Sequence, residues 1–159
     1  MTGNQTFDSA STELEKRVTL LEASAGTGKT YALARIFLRL VAEDGVETGK
    51  ILTVTFTTAA TEELRDRIRG LLVEAYETLI EPPRQKEEAV FERLRNLKNV
   101  PVEECIRRIR LAITCIDEAI ISTIHGFCNR VLSENSFETQ SLFDTELNKV
   151  SKDMVKEGV

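Results

Sequence analysis

Apolar and polar positions change period several times along the chain, and each change predicts an element. Val18-Thr19-Leu20-Leu21 is a short apolar run that stops at the small residues of Ser24 to Gly28, which suits a buried parallel strand entering a tight loop. From Lys29 the spacing turns helical, with Ala32, Leu33, Ile36, Phe37, Leu40 and Val41 on one stripe and Gly45 as the stop. A second apolar run, Ile51 to Phe56, is rich in β-branched residues and leads to Thr57-Thr58, either of which can cap the next helix. Ala60, Leu64, Ile68, Leu71, Leu72, Ala75 and Leu79 give that helix one apolar stripe, and Pro82-Pro83 closes it. Strand, loop, helix, strand, helix in this order predicts an α/β fold with a parallel sheet and crossover helices.

Residues 84 to 116 are charged and helical in pattern, with a break near Asn99-Val100-Pro101. Between Arg84 and Arg110, eight Lys or Arg stand against five Glu, a net charge of +3. A solvated helical face is the expected reading, ahead of a patch for nucleic-acid phosphates. Arg65, Arg67 and Arg69 read the same way, with Glu63 and Arg67 as an i,i+4 pair. A third strand is predicted at Ala119 to Thr123 and a helix from about His125 to Asn135. Residues 1 to 15 are polar and aperiodic, a loose leader, and Ser136 to Val159 is weakly periodic with a charged end.

At 159 residues, the length suits one core. With 42% hydrophobic and 30% charged residues the chain reads as an ordered globule, and no apolar run or signal segment directs it to a membrane or secretion, so a cytoplasmic protein is expected. Cys105, Cys115 and Cys128 are odd in number and lack CxxC spacing, so they read as reduced, mostly buried thiols. The net charge of −5 argues against a generally basic nucleic-acid coat, while leaving room for a site built of amides, hydroxyls and aromatics.

The chemistry concentrates at residues 23 to 30, ASAGTGKT. Small residues let the backbone curl so that successive N–H groups point inward, an anion nest at a helix N-terminus whose dipole also favours negative charge. Gly26 and Gly28 supply conformational freedom, Lys29 reaches the β- and γ-phosphates of a nucleotide, and the Thr30 hydroxyl ligates magnesium. Ala23 stands where the usual GxxxxGK[ST] pattern has its first glycine. Ala23, Ser24, Ala25, Gly26, Thr27, Gly28, Lys29 and Thr30 are thus the expected binding set for ATP and Mg2+, with Lys29 and Thr30 also expected to act in catalysis.

Two further segments narrow the reading. TVTFTTAATEELRDRI (Thr53 to Ile68) resembles motif Ia of superfamily-one helicases, and STIHGFCNRVL (Ser122 to Leu132) resembles motif Ib. The wording EASAGTGKT, DEAIISTIHGFC and NSFETQSLFD looks closest to the RecB-type helicase-nucleases of that superfamily, a resemblance spanning roughly Val18 to Glu146. It implies an ATP-driven DNA helicase and exonuclease subunit acting in double-strand-break repair and recombination. It also implies single-stranded DNA or DNA ends as substrate, with RecC-like and RecD-like subunits as partners. Thr55, Phe56 and Thr57, then Thr123, His125 and Phe127, would line the DNA path. By residue pattern alone Phe56 and Phe127 serve equally as core aromatics, and the single histidine, His125, reads as structural. Thr58-Ala59 replaces the Asn-Lys of many relatives, removing a lysine contact to phosphate.

The resemblance implies a P-loop NTPase fold of the RecA-like kind and an incomplete first motor domain. The expected organisation is a flexible leader over 1–17 and a partial motor domain over 18–135 with a helical insertion at about 84–116. A truncated start of an inserted helical subdomain follows over 136–159. Asp117-Glu118 follows an apolar residue, as a Walker B pair would, but the helical pattern before it argues against that role. With magnesium carboxylates and an arginine finger missing, the chain is expected to bind ATP without hydrolysing it. The alternatives are a small phosphotransferase and a nucleotide-dependent interaction module.

Overall fold

In the computed structural model, which describes residues 7–13, 18, 20, 28–83 and 87–135, the chain turns into helix α1, Lys29–Ala42, at Gly28. Gly28 has φ 81°, a left-handed conformation that glycine alone adopts freely. Gly45, at φ 68°, turns the chain away after α1, and the Val46 N–H returns to the Leu40 carbonyl at 2.9 Å. The buried face of α1 is Ala34, Phe37, Leu38, Val41 and Ala42, and Leu33 is exposed. This departs from the expected stripe by about one position. The helix is apolar almost all round, so its packing against two other helices chose the face, and periodicity did not.

A 3-10 turn, Thr48–Lys50, leads to strand β1, Leu52–Thr55. Helix α2, Thr58–Ile80, starts at Thr57, whose hydroxyl accepts the Ala60 N–H at 3.2 Å. It buries Thr61, Leu64, Ile68, Leu71, Leu72, Ala75 and Leu79, the expected stripe with Thr61 in place of Ala60. Glu81 is already extended, as the residue before a proline must be. Helices α3, Ala89–Arg95, and α4, Val102–Thr114, follow, with Pro101 fixing the start of α4. A 3-10 turn, Ile116–Glu118, precedes strand β2, Ile120–Thr123, and helix α5, Ile124–Glu134, continues from it directly.

β1 and β2 pair in parallel, with Leu52 opposite Ile120 and Thr55 opposite Thr123. Among the described residues these are the two strands of the sheet. Of the strand expected at Val18–Leu21, Val18 and Leu20 are irregular and exposed, and Thr19 and Leu21 lie outside the described residues. α1, α2 and α4 pack together around Leu38, Leu64, Ile68, Leu72, Cys105 and Ile109, all almost fully buried.

Polar residues finish this assembly in ways the charge pattern did not suggest. Within the stretch expected to be loose, residues 8–12 form a turn in which the Ala10 N–H and the Ser11 hydroxyl donate to the Asp8 carboxylate, and Ala10 joins the core. Arg39, 1% exposed, donates to the carbonyls of Ser9 (3.1 Å) and Thr12 (2.7 Å) and pairs with Glu43 at 2.8 Å. Glu43 in turn holds Arg93 of α3 at 2.8 Å. Burial alone would raise the Glu43 carboxyl, but the bonds from Arg93 and Arg39 outweigh it and hold it below the ordinary value.

Within the basic stretch Lys98, Arg107 and Arg110 are exposed, as a solvated face would have them, Arg93, Arg95 and Arg108 are half-buried, and Arg84 and Lys86 lie outside the described residues. Arg95 donates to the carbonyls of Thr78, Leu79 and Glu81, closing the end of α2, and pairs with Glu87. Arg108 does the same for α1 through the carbonyls of Ala42 and Glu43. A guanidinium at a helix C-terminus satisfies orphan carbonyls and meets the negative end of the dipole, and the hydropathy pattern carries no trace of that use. Arg107 and Arg108 both bond Glu104 and bring its carboxyl down to about 2. The chain divides into two compact units, one ending at Thr123 and the other beginning at Ile124.

Candidate functional site

Of the expected phosphate-binding loop, Gly28, Lys29 and Thr30 are described, and Ala23, Ser24, Ala25, Gly26 and Thr27 lie outside the described residues. Gly28 is the residue before α1, and a Cβ built on it would meet nothing within 4 Å. Its φ, not crowding, is what demands glycine. The first turn of α1 contains no acidic residue, so no carboxylate of that turn competes for the positive end of the helix. Lys29 is exposed and Thr30 half-buried beside it. This donor set fits a phosphate and a hard cation: N–H groups at a helix start, an ammonium and a hydroxyl. Among the described residues no cluster of His, Cys, Asp or Glu is arranged to hold a metal ion.

Next to this end of α1 lies a cluster that no pattern in the chain singles out. Tyr31 donates its hydroxyl to Glu88 at 2.9 Å, and Arg35 reaches both the Tyr31 oxygen and Glu88 at 2.7 Å. The Arg35 guanidinium also lies over the Tyr31 ring, 4.1 Å from its centroid. Burial, then the Glu88 bond, pushes the Tyr31 phenol up. Fifty-seven residues separate Tyr31 from Glu88, so no local spacing could have revealed the contact.

At the other candidate surface the parallel register places Thr55 and Thr123 side by side at the carboxyl ends of β1 and β2. Phe56 follows and is 88% exposed, so it is not a core aromatic. The threonine hydroxyls around it are engaged within the turn. Thr55 Oγ and Thr61 Oγ share a 2.6 Å hydrogen bond, and each lies 3.1 Å from the Thr57 carbonyl. With one proton on each hydroxyl, one donates across the pair and the other donates to that carbonyl. A ligand here would therefore meet the Phe56 ring and the exposed Thr57 before the half-buried hydroxyl of Thr55. Thr61, which sequence reasoning missed, is 8% exposed on the core face of α2; its signal was a threonine one turn ahead of Leu64 on the apolar stripe.

Arg65, read as part of a solvated face, instead donates to the Ile121 carbonyl of β2 at 2.8 Å. Arg67 does pair with Glu63, at 3.2 Å and in solvent, and Arg69 meets the exposed Asp117 at 3.4 Å. Asp117 and Glu118 stand in the 3-10 turn that leads from α4 into β2 and follow no described strand, consistent with the reading that denied them a Walker B role. His125 is exposed and Phe127 half-buried on α5, in the second unit. The cysteines are all free, but only Cys105 is buried; Cys115 is half-buried and Cys128 exposed, so the expectation of mostly buried thiols fails. Cys128 stands on a helix with no buried residue.

The sequence has counterparts among known proteins. The model of the UvrD/REP helicase N-terminal domain matches residues 4–157. The RecBCD enzyme subunit RecB of Haemophilus influenzae is 37% identical over 150 aligned residues, covering 87% of this chain. The Escherichia coli protein of the same name is 40% identical over 138 residues (80% of the chain), and that of Mycobacterium tuberculosis strain CDC 1551 is 39% identical over 145 (91%). The chain spans only 12%, 11% and 13% of these relatives in the same order. With almost all of its residues matched, this chain belongs to the UvrD/REP helicase N-terminal domain family.

Proposed function

We propose that the chain is the ATP-binding front part of a DNA helicase-nuclease subunit of the RecB type, acting in double-strand-break repair and recombination. The observation that supports it most is the left-handed Gly28 leading into α1 with Lys29 and Thr30 in its first turn, within a chain matched over residues 4–157 by the helicase family. The fold is then the first part of a RecA-like motor domain, with the leader over 1–17, the domain over 18–135 and an inserted subdomain starting at 136. The relatives carry the name RecBCD, so RecC-like and RecD-like subunits are the expected partners and the cytoplasm the expected location. Among the described residues no helix is long and apolar enough to cross a membrane.

In this reading Ala23 to Gly28 cradle the ATP phosphates with backbone N–H groups, Lys29 neutralises charge on the β- and γ-phosphates, and the Thr30 hydroxyl is a magnesium ligand. Magnesium, when bound, lowers the charge on the transferring phosphoryl. Thr55, Phe56, Thr57 and Thr123 form a single-stranded DNA track at the strand ends, the edge where open α/β sheets take ligands. Phe56 offers a stacking face that every base can use. His125 and Phe127 on α5 are further proposed contacts.

A fluorescent ATP analogue, titrated with magnesium into the 159-residue chain, tests the nucleotide site. Binding is expected, with at least a tenfold loss in Lys29→Ala; equal affinity in the two proteins defeats the assignment. A steady-state ATPase assay with and without oligo(dT) is expected to show no turnover. An arginine finger is worth about 10³ to 10⁵ in rate, and among the described residues no carboxylate cluster is arranged to hold the metal. DNA-stimulated hydrolysis abolished by Lys29→Ala would refute that part.

A further inference from the structure

We infer that Thr61 and Arg65, one turn apart on the sheet-facing side of α2, are positioning residues that set the exits of β1 and β2 for the DNA track, Thr61 acting through Phe56. The inference rests on the DNA reading above. Thr61 ties the two residues that flank Phe56: its hydroxyl shares a 2.6 Å bond with Thr55 Oγ and lies 3.1 Å from the Thr57 carbonyl. Thr57 in turn caps α2 by accepting the Ala60 N–H. The backbone on both sides of Phe56 is thereby fixed to the first turn of α2, while the ring itself stays 88% exposed. A large aromatic held out in water by a closed hydroxyl network forfeits hydrophobic burial, which makes sense where the ring is kept ready for a stacking partner.

Arg65 reaches from the next turn to the Ile121 carbonyl at 2.8 Å, two residues before Thr123. Thr123 is the register partner of Thr55, so the same helix holds the ends of both strands at a fixed offset. Neither residue is placed to touch a ligand. Thr61 is 8% exposed and Arg65 is half-buried, so both act through what they hold.

The test is fluorescence anisotropy of labelled oligo(dT) on the 159-residue chain, with the ATP analogue as a second readout on each variant. Phe56→Ala is expected to weaken oligo(dT) binding about tenfold, the size of one stacked base. Thr61→Val, of the same shape without the hydroxyl, is expected to weaken it about fivefold, with Thr61→Ser within about twofold of wild type. Because Thr61 acts through the ring, Thr61→Val added to Phe56→Ala should give no further loss, and ATP-analogue affinity should stay at the wild-type value in both single variants. Additive losses, or a parallel fall in nucleotide affinity, would mean that Thr61 merely stabilises the fold and would overturn the inference. So would full oligo(dT) affinity in Thr61→Val alongside a weakened Phe56→Ala. If Thr61→Val is unfolded by circular dichroism, Arg65→Gln decides alone: about threefold weaker oligo(dT) binding restored by Arg65→Lys supports the brace, and unchanged binding refutes it. Absence of oligo(dT) binding by wild type, or equal binding by Phe56→Ala, removes the DNA track itself and this inference with it.

Discussion

Replacing Glu43 by glutamine is expected to cost about 3 kcal/mol of folding stability, the lower end of the range for removing one partner of a buried ion pair. Glu43 is 12% exposed and bonds two guanidiniums at 2.8 Å, those of Arg39 (1% exposed) and Arg93 (28% exposed). Glutamine keeps the shape and one oxygen acceptor, and Arg39 keeps the carbonyls of Ser9 and Thr12, so the loss stays below the full desolvation cost of an uncompensated cation. The assay is urea unfolding followed by far-ultraviolet circular dichroism. With a slope of about 2 kcal/mol per molar, 3 kcal/mol moves the midpoint down by about 1.5 M.

The pH dependence supplies a second arm. The carboxyl of Glu43 lies below its ordinary value of 4.5 in the folded chain, so its contribution is complete above that value and is lost as pH falls through the depressed one. The gap between wild type and Glu43→Gln is therefore largest at neutral pH and narrows in acid. A midpoint shift under about 0.3 M at pH 7, well short of the 1.5 M that the slope implies, would show that the three-way joint of leader, α1 and α3 does not hold the fold together.

Gly45→Ala is expected to destabilise the chain by about 1–2 kcal/mol, because a side chain at positive φ is strained. The new Cβ would also lie 3.0 Å from the Arg108 guanidinium carbon that caps α1; a variant as stable as wild type by thermal melting would contradict this. Leu72→Ala empties a site in α2 that is almost fully buried and should cost about 3 kcal/mol or more, read as a lower urea midpoint. Titration with a thiol reagent is expected to modify Cys128 at once and Cys105 only on unfolding, since Cys105 is buried and its thiol is pushed up by that burial; simultaneous reaction of both would refute the burial.

The alternation of helices with β1 and β2, the cap at Thr57, the stop at Gly45 and the break at Pro101 were legible in the residues alone, because each rests on local backbone preferences. So was the candidate nucleotide site, since a small-residue loop ahead of Lys29 and Thr30 is a contiguous motif with its own chemistry. For α2 a single stripe left one way to pack, and the expected core face holds from Leu64 to Leu79. For α1, apolar nearly all round, only contact with α2 and α4 settled which side is buried.

The use of the charges came from long-range packing. Arg39, Arg65, Arg95 and Arg108 look alike in sequence, yet each ends on backbone carbonyls contributed by residues 14 to 66 positions away. Carbonyls left over at turns and helix ends cannot be read from composition, because they become orphans only when the elements are in place. The hydroxyl of Thr55 obeys a related logic: its type suggested a ligand surface, and the partner that claims it, Thr61, arrives only once α2 folds back against the sheet.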